Sequence, residues 1–166
     1  MIFLDCGAYV GRALQRYQDE GVVDDTWIIY SFEPNPRIKG KNLIRKAVWI
    51  EDGTVLFQIS GREDSGSVEG TAGHADPEKI MVESFNFSKF VDNLPDEFII
   101  CSMDIEGAEF PVLDKMLKEH TINGIDLLDI EFHHRLVEDK TAADAERLIK
   151  QITERGVKVR LKVPIQ

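Results

Sequence analysis

Two segments of the sequence place proton-exchanging side chains directly after a hydrophobic run. Asp104, Glu106 and Glu109 follow one run, and His133 and His134 follow another. Carboxylates and imidazoles both exchange protons, and a histidine with its unperturbed pKa of about 6.5 suits general-base chemistry. We therefore expect Asp104 or His133 to act as the catalytic base. Glu109 has a simpler explanation, because an acidic residue stabilises a helix N-terminus.

A second group of residues is typical of a nucleoside-cofactor site. Gly7 and Gly11 follow the first hydrophobic run and precede a helical pattern, so the backbone can approach a ligand closely there. Glu33 ends the next run roughly 20 residues later, where an acid binds a ribose diol. The turn has two glycines rather than the three of a dinucleotide fingerprint, and Asp5 precedes it. This pattern favours S-adenosylmethionine, whose positive charges suit an acidic lining.

The same side chains raise the question of a metal ion. Asp104, Glu131 and His133 would supply the oxygen and nitrogen ligands that several divalent metals accept. No local spacing in the sequence is typical of a metal site, however. We therefore expect no bound metal.

Strands and helices alternate along the chain and give these residues a framework. The pattern predicts an open, mostly parallel α/β sheet with helices on both faces, and ligands in such sheets lie beyond the carboxyl ends of the strands. Only about ten residues follow the second strand before the third, so the crossover helix there is shortened. A β-hairpin insertion, with its turn at 51–53, precedes the fourth strand. The predicted strands are 2–4, 27–32, 43–49, 53–60, 80–87, 98–103, 125–132 and 157–163, and the predicted helices are 12–20, 111–120 and the segment from Thr141 to Gly156.

Composition limits the function further. The length of 166 residues suits one hydrophobic core and is short for two, which predicts one domain over 1–166. The formal net charge of −10 argues against nucleic-acid binding. No segment is long and apolar enough for a membrane span, and no leader pattern precedes the first strand, so we expect a cytoplasmic protein. Cys6 and Cys101 lie inside strand patterns, which favours buried, reduced thiols.

Five ordered segments carry a family resemblance. They are Phe3-Leu4-Asp5-Cys6-Gly7-Ala8-Tyr9-Val10-Gly11, Ser31-Phe32-Glu33-Pro34-Asn35-Pro36, Lys46-Ala47-Val48, Asp104-Ile105-Glu106-Gly107-Ala108-Glu109 and Ile130-Glu131-Phe132-His133. Together they resemble the FkbM family of S-adenosylmethionine-dependent methyltransferases. The resemblance implies a Rossmann-like class I methyltransferase fold and O-methylation of a hydroxyl on a sugar or small metabolite. It places the cofactor at Asp5, Gly7, Ala8, Tyr9, Gly11, Glu33 and Asp104. It also implies that Asp104 and Glu106 are catalytic acids of the active site.

Several positions depart from the family pattern. Tyr9 stands where the family usually has Asn, Ser102 where a Lys commonly precedes the Asp, and Ser88 where an Asp is frequent. An alternative is therefore a catalytically inactive binding protein on the methyltransferase fold. A nicotinamide-dependent oxidoreductase fits the same topology but lacks the three-glycine turn. We expect the loop over 62–73 to cover a small-molecule or glycan acceptor. The shortened helix thins the wall expected around the adenine and predicts weak cofactor affinity. The family's leading helices, which often cover the acceptor site, do not precede the first strand, which predicts an open cleft or a homo-oligomer.

Overall fold

The computed structural model describes residues 1–60, 66–68 and 78–165. The strands are β1 Ile2–Cys6, β2 Ile28–Phe32, β3 Leu43–Ile44, β4 Ala47–Trp49, β5 Gly53–Ile59, β6 Gly66–Val68, β7 Glu78–Asn86, β8 Ile99–Met103, β9 Leu127–Ile130 and β10 Lys158–Leu161. The α-helices are α1 Arg12–Asp19, α2 Phe87–Asp92, α3 Glu109–Glu119 and α4 Ala142–Glu154, and 3-10 helices cover Thr121–Gly124 and His134–Leu136. None of these helices has the length and hydrophobicity to cross a lipid bilayer.

Six parallel strands form the main sheet in the order β3-β2-β1-β8-β9-β10. The side chains of β1 and β8 are buried throughout because helices cover both faces. Tyr17 of α1 packs against Phe3 on one face, whereas Met116 of α3 shares the other core with Leu4. The strand order reverses between β1 and β8, as in doubly wound sheets. The predicted Rossmann-like α/β fold is confirmed.

A second sheet of four strands, in the order β4-β7-β5-β6, is inserted before the fourth strand of the main sheet. The predicted antiparallel insertion is present, since β5 runs antiparallel to both β6 and β7. The turn predicted at 51–53 does not join neighbouring strands, because β7 lies between β4 and β5. Ser84 of β7 is opposite Ala47 on one side and Gly53 on the other. The loop predicted over 62–73 contains β6, and its other residues lie outside the described ranges.

The single strand predicted over 43–49 is wrong. The chain instead forms β3 in the main sheet and β4 in the second sheet, with a break at Arg45. The guanidinium of Arg45 donates hydrogen bonds to the backbone carbonyls of Glu33 and Asn35, at 3.3 and 2.7 Å. It also donates to the carbonyl of Ile38, at 2.6 Å. These bonds hold the break against the segment that follows β2.

Helix α2 was not expected, because the alternating pattern of β7 continues to Phe87. The strand ends at Asn86, whose side-chain oxygen accepts a hydrogen bond from the backbone N–H of Lys89 at 3.0 Å, an N-cap. The predicted capping box is confirmed, since Thr141 donates its backbone N–H to Asp144 at 2.9 Å. The spacing predicts a shortened helix after the second strand, whereas the described residues between β2 and β3 contain no helix at all.

The two cysteines are buried on neighbouring strands. Cys6 on β1 and Cys101 on β8 are free thiols with their Sγ atoms 4.0 Å apart. Burial, followed by the hydrogen bond to Cys101, raises the pKa of the Cys6 thiol well above its ordinary value. A thiol held in its neutral form reacts slowly, because the thiolate is the nucleophile.

Candidate active site

The carboxyl ends of the central strands meet at one edge of the main sheet. Backbone hydrogen bonds continue the parallel register one step past each strand, so the next residues form a row of Glu33, Gly7, Asp104, Glu131 and Lys162. A cleft of about 400 Å³ opens at this edge. Its lining includes the polar or glycine positions Gly7, Tyr9, Arg12, Glu33, Asn35, Asp104, Glu106 and Lys162 and the hydrophobic positions Phe32, Ile38, Val48, Phe57 and Val68.

The turn after β1 depends on unusual backbone angles. The N–H groups of Gly7 and Ala8 both donate to the carbonyl of Phe32, each at 3.0 Å. Gly7 has a φ of 78°, and a Cβ there would lie 1.8 Å from the carbonyl oxygen of Asp104. Only glycine fits that position. Tyr9 also has a positive φ, 50°, which is an uncommon conformation for an aromatic residue.

Glu33 is buried at the end of β2 and is bound to the neighbouring backbone. Its Oε2 accepts the N–H of Tyr9 at 3.0 Å, and its Oε1 accepts the N–H of Asn35 at 2.8 Å. Burial raises the pKa of Glu33, although these two hydrogen bonds and the charge of Arg45 oppose the shift. Each carboxylate oxygen has two lone pairs, so Glu33 retains acceptor capacity for a ligand in the cleft that it lines.

Asp5 lies beneath the cleft rather than in its lining. Its side chain is 1% exposed, and within the described residues its Oδ2 has no hydrogen-bond partner. Burial raises the pKa of Asp5 to about 6, the charge of Lys162 lowers it, and the charges of Asp104 and Glu33 raise it further. The contact of Asp5 with a cofactor stays a prediction. In the structure Asp5 interacts electrostatically with Lys162, Asp104 and Glu33, which line the cleft.

His133 is oriented by a buried carboxylate behind it. Its Nδ1 lies 3.0 Å from Oε1 of Glu109, the fully buried first residue of α3. The same carboxylate accepts the backbone N–H groups of Ile105 and Gly107, at 2.9 and 2.8 Å. Glu109 therefore stabilises the loop before α3, as its place at a helix start suggested, and it also fixes the ring of His133.

The other ring nitrogen of His133 faces three carboxylates. Its Nε2 lies 3.6 Å from Oδ1 of Asp104, 3.7 Å from Oε2 of Glu106 and 3.8 Å from Oε1 of Glu131. Burial lowers the pKa of His133, but the hydrogen bond and charge of Glu109 and the charges of Glu106 and Asp104 outweigh it. The net result is a pKa of about 9. His133 therefore carries a proton at neutral pH.

Three of these side chains could also hold a metal ion. Asp104, Glu106 and His133 each offer a ligand atom, and the three atoms lie within 4.8 Å of one another. The absence of a metal, expected from the sequence, stays a prediction. At neutral pH the imidazolium of His133 already supplies a positive charge there, and a metal would have to displace its proton.

Removal of metal is therefore expected to leave turnover unchanged. Dialysis of the protein against a chelator, followed by an activity assay at neutral pH with and without added Mg²⁺ or Mn²⁺, measures this. Activity that disappears on chelation and returns with either ion would overturn the expectation.

The structure brings most of the predicted site residues together. Gly7, Ala8, Tyr9, Glu33, Asp104 and Glu106 line the cleft, and His133 contacts two of its acids. Gly11, with a φ of 85°, lies instead in a shallow groove beside the cleft. His134 is buried on its 3-10 helix, and within the described residues its Nδ1 has no partner.

Sequence reasoning missed two charged residues and one wall of this site. Glu109 was placed only at a helix start, although it is the third acid of the 104–109 segment. Lys162, within the predicted strand 157–163, was not among the expected site residues, yet it lines the cleft. The hydrophobic wall comes largely from the second sheet, through residues such as Val48, Phe57 and Val68. Of these features, only Glu109 could have been found from the sequence, because it is the third of three closely spaced acids.

Two departures from the family pattern lie away from the cleft lining. Ser88 is buried on α2, and its Oγ lies 2.6 Å from Oγ1 of Thr121. Ser102 is buried on β8, opposite Asp5 on one neighbouring strand and Asp129 on the other. Tyr9 is the departure that reaches the cleft itself.

The doubly wound sheet, the glycine turn and the cleft at the strand reversal define a Rossmann-like α/β protein. A family model described as the methyltransferase FkbM domain matches residues 5–159. The chain therefore belongs to the FkbM methyltransferase family, and the resemblance drawn from its motifs is confirmed. No curated protein and no solved structure matches the chain.

Proposed function

We propose that this protein transfers the methyl group of S-adenosylmethionine to a hydroxyl of a sugar or another small metabolite. The observation that carries the proposal is a single cleft that joins the buried acid Glu33 to the proton-exchanging pair of Asp104 and His133. A methyl donor needs a nucleoside-binding end and a reacting end side by side. Membership of the methyltransferase family supplies the reaction class.

The donor set fits S-adenosylmethionine. Glu33 retains acceptor capacity for a ribose diol, and the turn at Gly7 lets the backbone approach a ligand. The carboxylates of Asp104 and Glu106 suit a ligand that carries a sulfonium and an ammonium. When bound, the cofactor would supply an electrophilic methyl group. A volume of about 400 Å³ lies within the range of small-molecule sites.

The hydrophobic side of the cleft supports the same proposal. The sequence leaves almost no helix after Glu33, which suggested a thin wall around the adenine and weak binding. Ile38, Val48, Phe57 and Val68 line that side instead. Because apolar side chains favour a flat aromatic base, the expectation of weak cofactor affinity no longer follows.

Methyl transfer to a hydroxyl requires alignment of the reactants and removal of one proton. As the new bond from the acceptor oxygen to the methyl carbon forms and the sulfur–carbon bond breaks, the hydroxyl proton passes to a base. Asp104 is the base we propose at neutral pH, because His133, with a pKa of about 9, already holds a proton. His133 then acts as the positive partner of that carboxylate, 3.6 Å away.

A catalytically inactive binding protein is the second candidate, favoured by the strained Tyr9 inside the cleft. Labelled S-adenosylmethionine, incubated with the protein and a panel of sugar and metabolite hydroxyl acceptors, separates the two. Transfer of label to an acceptor oxygen supports the proposed reaction. Saturable cofactor binding without transfer to any acceptor supports the inactive protein.

Replacement of Glu33 is expected to weaken S-adenosylmethionine binding. Glu33→Ala removes a charged acceptor for the ribose hydroxyls, at a cost of about 1.5–3 kcal/mol, roughly a tenfold to hundredfold rise in Kd. Isothermal titration calorimetry measures the change. Glu33→Gln serves as a milder variant because its amide oxygen can still accept one backbone N–H.

The matched control is Glu146→Ala, which removes an exposed carboxylate from α4. It should leave the cofactor Kd unchanged. Unchanged Kd values in folded Glu33→Ala and Glu33→Gln proteins would remove this residue from the binding site.

The net charge and the two cysteines bear on the kind of partner and on the cellular location. A formal net charge of −10 gives no broad basic surface, so we propose a small-molecule or glycan acceptor and neither nucleic acid nor a membrane as partner. We also propose a cytoplasmic location, in keeping with two free, buried thiols only 4.0 Å apart.

A further inference from the structure

Lys158, the first residue of β10, and Lys162, the residue directly after this strand, have different surroundings. Lys158 and Lys162 lie on the same face of the sheet, because alternate residues of a strand share a face. Lys158 is exposed, whereas the side chain of Lys162 is only 13% exposed and lines the cleft. The backbone N–H of Lys162 donates to the carbonyl of Ile130 at 2.9 Å, which fixes this residue beside the end of β9.

The ammonium of Lys162 contacts the proposed base. Its Nζ lies 3.5 Å from Oδ2 of Asp104, while Nε2 of His133 lies 3.6 Å from Oδ1 of the same carboxylate. Asp104 thus has a cation beside each oxygen. Two such contacts restrict the rotation of the carboxylate, because any turn of the group lengthens one of them.

The charge of Lys162 also acts on the acids around Asp104. It lowers the pKa of the buried Asp5, which the carboxylates of Asp104 and Glu33 raise. An ammonium that is largely removed from water interacts more strongly with nearby carboxylates than a surface lysine does. Lys162 lies outside the residues 5–159 that match the family model.

We propose that Lys162 is the positioning residue of Asp104, and that its ammonium fixes the carboxylate orientation in which Asp104 accepts the acceptor's proton. The kinetic part of this proposal rests on the methyl transfer proposed above, whereas the charge contact can be measured without turnover.

The kinetic test compares Lys162→Ala, Lys162→Arg and the control Lys158→Ala. We expect Lys162→Ala to lower kcat by roughly 10–100-fold, since misplacement of a reacting group by about 1 Å can have an effect of that size. The KM for S-adenosylmethionine should change by less than about threefold, because the interaction acts in the transition state. Lys162→Arg should restore most of the rate, and Lys158→Ala should match the wild type.

A pH–rate profile separates positioning from a purely structural role. Loss of a nearby cation makes the carboxylates easier to protonate, so the acidic limb of the profile should move to higher pH in Lys162→Ala. A lower melting temperature with unchanged kcat and an unchanged profile would overturn the proposal.

The measurement without turnover is the ¹³C NMR titration of the buried Asp5 carboxyl group, whose pKa the charge of Lys162 lowers. In Lys162→Ala this group should titrate at higher pH than in the wild type, and in Lys158→Ala it should not move. If Asp5 does not respond to Lys162→Ala, the placement of the Lys162 charge at the cleft is refuted. If Asp5 responds while the wild type methylates no acceptor, the charge placement stands and the proposed function fails.

Discussion

Replacement of Gly7 with alanine is expected to destroy the cofactor site and to destabilise the fold by roughly 3–5 kcal/mol. The added Cβ would lie 1.8 Å from the carbonyl oxygen of Asp104, so β1 and β8 would have to separate at their carboxyl ends. Their separation would also break the hydrogen bond from the N–H of Asp104 to the carbonyl of Cys6. Because Glu33 is held by the same turn, S-adenosylmethionine binding should fall below detection.

Gly11→Ala is the matched control for this prediction. Gly11 has a similar φ, 85° against 78° at Gly7, but among the described residues no atom beyond Gly11 and its chain neighbours lies within 4 Å of the position its Cβ would take. Only backbone strain of about 1 kcal/mol is then expected. Urea denaturation gives the free energy of unfolding of both variants, and calorimetry gives their cofactor affinity. Equal losses in the two variants would show that backbone strain alone, without overlap at Asp104, explains Gly7.

The ends of the parallel strands were predictable because they depend on local signals. A hydrophobic run that stops at a glycine or a proline locates a strand end, and parallel strands bring their ends to one edge of the sheet. Gly7, Glu33 and Asp104 were therefore expected near one another. The spacing also predicted that a full crossover helix does not fit after Glu33, although the structure has no helix there where a shortened one was expected.

The features that sequence patterns missed depend on contacts between distant residues. Arg45 breaks one predicted strand through hydrogen bonds to carbonyls that precede it by seven to twelve positions in the chain. Lys162 contacts Asp104, which precedes it by 58 positions in the chain (162 − 104). Neither contact leaves a periodic signal, because hydrophobic periodicity reports only which face of an element is buried.

The second sheet supplies a wall of the cleft that the sequence did not predict. The described residues between Glu33 and β3 contain no helix, where the spacing predicted a shortened one. The weak wall inferred from its absence does not follow, because Phe57 of β5 and Val68 of β6 line the cleft. The alternation of β5 indicated an antiparallel strand, but its partner and its position over the cleft depend on β7, which follows it in the chain.

Asp104 and His133 are the two candidates for the base, and the pH dependence of the rate distinguishes them. The sequence left Asp104 and His133 as alternatives and, from an unperturbed imidazole, a histidine base would give activity rising between about pH 5.5 and 7.5. The structure moves that window, because the charges around His133 raise its pKa to about 9. A histidine base would now give activity that rises as the pH passes about 9.

The raised pKa of His133 makes the stability of the fold depend on pH, and an activity assay must control for this effect. The pKa of His133 is higher in the folded protein than the ordinary value of 6.5. Its imidazolium therefore stabilises the fold fully below about pH 6.5, and the contribution is lost as the pH rises through about 9. The unfolding midpoint should be recorded at each pH, so that a decline in activity above pH 9 is not mistaken for titration of the base.

Asp104→Asn is expected to lower kcat by roughly 10²–10⁴-fold at neutral pH, because the amide cannot accept the hydroxyl proton. The wild-type rate should not rise as the pH passes about 9 and should instead fall there, because His133 loses the positive charge that it places beside Asp104. His133→Ala should have the smaller effect, about tenfold, because it removes only one of the two cations beside Asp104. Asp92→Asn and His120→Ala, both at exposed positions, are the controls. If His133→Ala abolishes turnover while leaving cofactor binding near wild type, and the wild-type rate rises through pH 9, then His133 is the base and Asp104 is not.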